Sequence, residues 1–195
     1  MADFAARVSQ GHIGRARYIA TNEEVRSHRA TILSLPMRLG TIADAFKAAQ
    51  ILVDLATAQA NAQSEARDEK EIAALQEAYG KGATGRGMAT GGAKAVKELE
   101  KEQKSRATRM VRDSLDGALL DIATFYRDVM MVQSGYSESM INSDMREQIE
   151  SYAAKHPASS TVSKINAIMD ARTNLAHNAA PLLTCEALMC RLAKA

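Results

Sequence analysis

Few residues in this chain have types and spacings that could do chemistry. They are the glycines of GKGATGRGMATGG at 80–92, four histidines, two cysteines and a row of lysines. A glycine-rich phosphate cradle needs G-x-x-x-x-G-K-[ST] between a strand and a helix, so that backbone N–H groups and the lysine close on the phosphates. Gly87 and Gly92 have the spacing, but Ala93 stands where the lysine belongs and no strand pattern precedes it. The segment reads instead as the mobile tip of a helical hairpin. His12, His28, His156 and His177 have no second metal ligand at useful spacing, neither a Glu-x-x-His pair nor a His-x-x-x-His. Each reads as a surface or boundary histidine.

Cys185 and Cys190 lie five residues apart on an expected helix. At roughly 3.6 residues per turn they point about 140° apart around its axis, which disfavours a disulfide or a shared metal. A reducing cytoplasm is the simple reading. No Ser/His/Asp order and no Cys–His pairing stands out. The expectation is no catalytic residue, no metal and no cofactor.

Lys94, Lys97, Lys101 and Lys104 share one helical face, extended by Arg106, Arg109 and Arg112 and offset by Glu98, Glu100 and Glu102. Such a stripe can follow a phosphate backbone. No aromatic residue is interleaved, so base stacking is not indicated. It reads first as a solvated face and second as a weak nucleic-acid contact. Arg127 and Asp128 follow Tyr126 at the apolar end of a long helix, and Arg172 lies on an apolar helix side. Charges there are costly unless paired. An internal ion pair with Asp121, Asp128 or Asp170 and an intersubunit contact are the two readings.

The elements that position these residues are helical. Ala, Glu, Gln, Lys, Arg, Leu and Met dominate the 195 residues, aromatic residues are 4%, and prolines number three. Those residues are the good helix formers. A net charge of +2 indicates neither a nucleic-acid-coating protein nor an acidic tail. With Asp3 and Arg7 at the start and no apolar core there, no signal peptide is expected. No apolar run approaches the ~18 residues of a membrane helix.

Residues 94–134 read as one long helix. Its first part is polar all round; its second carries Leu115, Leu119, Ile122, Tyr126 and Val129 on one stripe. A partner helix starts after Thr41 and runs to about Tyr79, with its stripe at Ile42, Ala45/Phe46, Ala49, Leu52 and Leu55/Ala56. Together 41–134 predict a long antiparallel hairpin, buried at its base and projecting beyond. Before it, helices are expected over 2–9, within SQGHIGRARYIA at 9–20, and from Glu23 to Ser34, where Thr21 or Asn22 caps. After it come a turn at 135–140 and a helix near 142–154. A helix capped by Ser159 or Ser160 follows, with Val162, Ile165, Ile168/Met169, Arg172 and Leu175 on one side. The last helix opens at Pro181.

SQGHIGRARYIA at 9–20, LEKEQKSRATR at 99–109, DSLDGALLDIATFYRDV at 113–129 and ARTNLAHNAAPLLTCEALMCRL at 171–192 resemble, in order, the delta-prime subunit of bacterial DNA polymerase III in its actinobacterial form. The resemblance implies the end of an AAA+ lid domain over 1–35 and a helical collar over 36–195, with a hairpin arm at about 57–112. The nucleotide-binding part, with the family's arginine finger and zinc-binding cysteines, would then lie outside this chain, as in a truncated product, a cut piece or a split gene. Gly11, Gly14 and Arg15 resemble the turn where active AAA+ relatives place a nucleotide-sensing arginine. Delta-prime subunits generally do not hydrolyse ATP, so Arg15 is expected to be a positional relic and an interdomain contact. The implied partners are the delta and ATPase subunits, joined through their collars into a five-membered ring that opens the sliding clamp. Leu182, Leu188 and Arg172 are candidate interface residues, and self-association through the same faces is a further expectation. The rival readings are a free-standing helical adaptor, a DNA-binding protein using the basic arm, and a helical enzyme, for which no set of convergent polar groups can be assembled.

Overall fold

A computed structural model describes residues 1–9, 11–79 and 92–194. Among these the regular structure is all helical: α1 (Ala2–Val8), α2 (Ile13–Thr21), α3 (Glu23–Ser34), α4 (Ile42–Ala78), α5 (Gly92–Gln133), α6 (Arg146–Lys155), α7 (Ala158–Ala176) and α8 (Pro181–Lys194). Short 3-10 turns lie at Leu35–Arg38, Ser137–Ser139 and Ser143–Met145. The glycine segment read as a hairpin tip falls, apart from Gly92, outside the described residues.

The helix ends follow local chemistry. The His12 Nδ1 atom accepts from the Arg15 N–H at 3.1 Å and caps α2, while the Asn22 side chain caps α3 through the Val25 N–H at 3.3 Å. At α4, Thr41 Oγ1 accepts from the Asp44 N–H at 3.1 Å and Asp44 Oδ2 accepts from the Thr41 N–H at 3.0 Å. This reciprocal pair satisfies two otherwise orphaned donors. The Thr41 hydroxyl also donates to Asp44, which holds that carboxylate below its ordinary pKa. Gly11 takes φ +86° before α2 and Gly135 takes φ +81° after α5, a region closed to most side chains. Asn178, at φ 65°, turns the chain before Pro181 opens α8.

The chain packs as two units, Met1–Leu55 with Leu115–Ala195, and Ala56–Ser114. In the first, Leu115, Leu119, Ile122, Tyr126 and Val129 of α5 are all fully buried, as their spacing predicts. Ala45, Ala49 and Leu52 are buried from α4, but Ile42 and Phe46, expected on the same stripe, are exposed. Phe125, Tyr126 and Tyr152 form an edge-to-face cluster with centroids 5.3–5.9 Å apart, a favoured aromatic geometry. A smaller core joins Ala5, Val8 and Ile19 with Phe4, Ala20, Val25 and Ile141. Ile13, the first residue of α2, is 85% exposed.

Helix α7 is rotated from the predicted face. Its cap is Pro157, not Ser159 or Ser160, and it buries Thr161, Lys164, Ala167, Ile168, Ala171 and Leu175. Val162 and Met169 turn outward. Thr161 and Lys164 take the inward positions, where the Lys164 ammonium donates to the Tyr152 hydroxyl and the Thr161 hydroxyl has no hydrogen-bond partner among the described residues.

In the second unit Ala60 and Ser64 are buried on α4 and Gln103 on α5. The Gln103 amide donates to the Asp68 carbonyl at 3.0 Å and to Glu71 at 3.3 Å. Arg106 reaches both Asp68 and Glu71. Asp68 and Glu71 thus meet Arg106 and Gln103 in antiparallel register. The Arg106 and Arg67 guanidinium groups lower the Glu71 carboxyl from 4.5 to about 2.

Candidate functional site

The first unit is organised around a buried polar chain that starts on α5. Asp121, Thr124 and Asp128 follow one another at three- and four-residue steps, so they share one face of the helix. Asp121 Oδ1 accepts from Arg15 Nη2 at 2.6 Å and from Arg29 Nε at 3.0 Å. The other arm of the Arg29 guanidinium donates to the Asn142 side-chain oxygen. The Asn142 amide nitrogen then donates to Thr124 Oγ1 at 3.1 Å and to Asp128 Oδ2 at 2.9 Å. Asp128 also accepts from the backbone N–H of Ile141 at 3.0 Å, the N–H of Asn142 at 2.7 Å and Arg127 Nη1 at 2.8 Å. Arg29 is 4% exposed, Asp121 6%, and Asp128 and Asn142 0%.

Each member is satisfied, which is the condition for polar groups in a core. The chain fastens α2 and α3 to α5 and shapes the connection from Tyr136 to Asn142. Arg7 Nε adds a bond to the Ile141 carbonyl at 2.9 Å, and the Arg29 guanidinium lies 5.8 Å from the Phe4 ring centroid. This is positioning chemistry. It holds no exposed nucleophile and no poised proton donor.

The predicted residues divide over this frame. Arg15 is one of the two arginines on Asp121. Gly11 supplies the turn before α2, and a Cβ on Gly14 would come within 3.3 Å of the His12 ring that caps the helix. Arg127 pairs with Asp128. Arg172 pairs with Asp116, through bonds of 2.7 and 2.9 Å, rather than with Asp121, Asp128 or Asp170. This two-pronged bond raises the Arg172 pKa. Asp170 pairs instead with Arg191 of α8 at 2.9 Å. Leu188 is 2% exposed and belongs to the core of its own chain, whereas Leu182 and Leu183 are exposed. In the second unit Lys94, Lys97, Lys101 and Lys104 are exposed, and none has an ion-pair partner among the described residues.

Burial pushes the Cys185 thiol up to about 12, so it is inert. Among the described residues, no group of three or more His, Cys, Asp or Glu side chains could hold a metal ion. No described helix is long and apolar enough to cross a membrane. Sequence reading missed Arg29 and Asn142. Their signal was indirect: Asp121, Thr124 and Asp128 make a polar stripe beside an apolar one, which requires buried partners.

This is the architecture of a helical packing module whose ion pairs join its helices. Residues 111–192, from the middle of α5 to the end of α8, match the family model described as DNA polymerase III, delta subunit, C terminal. That segment is therefore similar to a clamp-loader subunit domain of the replication machinery. No curated protein matches the chain, and no solved structure matches it.

Proposed function

We propose that the chain is a non-catalytic assembly part of the DNA polymerase III clamp loader, of the delta-prime, actinobacterial kind. It docks beside the delta and ATPase subunits through its collar and acts on the sliding clamp only through them. The observation that carries this reading is the family match over 111–192, which ends on helices that keep large apolar side chains in solvent. On this reading 1–35 are the end of a lid, 36–195 are the collar with the arm at about 57–112, and the compartment is the cytoplasm. Arg15 then serves as an anchor between lid and collar, with no nucleotide to sense.

Val162 and Met169 on α7 and Leu182 and Leu183 on α8 are exposed apolar positions suited to docking. Their burial contributes ~25 cal/mol per Å² before association costs. The test is co-expression with the delta and ATPase subunits. Leu182→Glu with Leu183→Glu should reduce co-purification at least tenfold while leaving the helical circular-dichroism signal intact. Undiminished recovery overturns the docking assignment. Leu188→Ala, by contrast, should lower the melting temperature, since that side chain is internal. The isolated chain should self-associate weakly through the same exposed residues.

The four lysines of α5, without an ion-pair partner among the described residues, favour a second, subsidiary contact with nucleic acid. Charge reversal at Lys97, Lys101 and Lys104 should then abolish a steeply salt-dependent affinity for DNA. A salt-independent affinity removes that contact from the proposal.

A further inference from the structure

Among the described residues, the first unit buries one cation without giving it an anion. Lys164 of α7 is 2% exposed. Its Nζ donates to the Tyr152 hydroxyl at 2.9 Å and lies 5.4 Å from the Tyr152 ring centroid and 5.8 Å from that of Tyr126. An ammonium carries three donors, and the other two have no partner among the described residues. No carboxylate lies within ion-pair distance of it there. The rings offer partial compensation through their electron-rich faces. A buried charge normally demands more, namely a counter-ion or a full set of acceptors.

A cavity of ≈ 450 Å³ opens on this lysine. Small-molecule sites occupy ~300–1,000 Å³ and combine apolar walls with a few placed polar groups. Met37, Leu39 and Leu192 form an apolar wall here, and Lys164, Tyr152 and Lys155 a polar end. Glu147 is the one carboxylate on the lining, and it is exposed. His156 stacks on Tyr152 with ring centroids 4.1 Å apart. Burial first, then the charges of Lys164 and Lys155, lower its pKa, so at neutral pH it adds no charge.

We propose that this cavity binds a small organic monocarboxylate, with its carboxylate on the Lys164 ammonium and the Tyr152 hydroxyl and its hydrocarbon body along Met37, Leu39 and Leu192. The single buried cation suits a single negative charge. A phosphate dianion would want a guanidinium or the amides of a helix N-terminus. The lining has no arginine, and where it reaches the first turn of α6 it carries the carboxylate Glu147, which opposes a second negative charge. The apolar wall rewards a hydrocarbon body that inorganic anions lack.

The test is titration of the full chain with 3-phenylpropionate, followed by amide NMR shifts and calorimetry. Saturable one-to-one binding that shifts Tyr152, Lys164 and Leu192 is expected. Lys164→Met should weaken it roughly tenfold or more, equivalent to losing about 1.4 kcal/mol. Ala193→Trp, which leaves the lysine in place and fills the rim, should weaken it similarly and carries the test if Lys164→Met does not fold. Absence of saturable binding overturns the proposal. So does equal affinity for 3-phenylpropylamine, which shares the body and reverses the charge, or a preference for inorganic phosphate.

Discussion

Asp121→Ala is the substitution that most directly tests how the first unit is held. Two guanidinium groups converge on one oxygen of Asp121, from Arg15 at 2.6 Å and Arg29 at 3.0 Å. The Arg15 side chain is 23% exposed and can turn to water when its partner is lost. Arg29 cannot, since its side chain is only 5% exposed, and it would keep Asn142 alone. Removing one partner of a buried pair costs ~3–5 kcal/mol. At about 2–4 °C per kcal/mol for a chain of this size, the melting temperature should fall by ~6–20 °C. Arg29→Met should cost less, because Asp121 keeps Arg15, and Arg15→Met least of all. The double variant Arg29→Met with Asp121→Leu should recover part of the loss, since it strands no buried charge and leaves only the Asn142 side-chain oxygen without its donor. Urea melts followed by tyrosine emission suit the measurement: the chain has no Trp, and Tyr126 and Tyr152 sit in the aromatic cluster. The reasoning fails if Asp121→Ala costs under about 1 kcal/mol, or if the double variant equals the sum of its singles within ~0.5 kcal/mol.

Glu71 predicts an acid weakness in the second unit. Its folded pKa, about 2, lies below the ordinary 4.5, so its ion pairs stabilise fully above that ordinary value and are lost as pH falls toward 2. Helical signal in thermal melts between pH 5 and 2 should show this loss, and Glu71→Gln should flatten that contribution. The cysteines should differ in alkylation at pH 8: Cys190, half-buried, reacts first, while Cys185, buried with its thiol near 12, reacts only on unfolding. Mass spectrometry of iodoacetamide-treated protein reads this, and equal rates would refute it.

The helices were legible where one residue type settles the matter. The stripe from Leu115 to Val129 is apolar at each inward step, and Asn22 and Thr41 have the short side chains that cap a helix. The face of α7 was not legible, because Lys164 counts as polar in any pattern although it is buried and its ammonium lies over two aromatic rings. Asn142 was hidden for another reason. It lies in a connecting segment, and its bonds go to residues 14, 18 and 113 positions away. Periodicity reports only which way a side chain faces along its own helix. It carries no information about which distant group supplies the missing half of a hydrogen bond.

The separation of Arg29 from its acceptors has a consequence during synthesis. Asp121 follows it by 92 residues and Asn142 by 113. At ~5–20 residues per second, a ribosome makes the 92 positions to Asp121 in about 5–18 s. For that interval the leading helices exist as nascent chain without the carboxylate that will neutralise them. Their final docking is a late event, timed by translation rather than by how fast a helix can form.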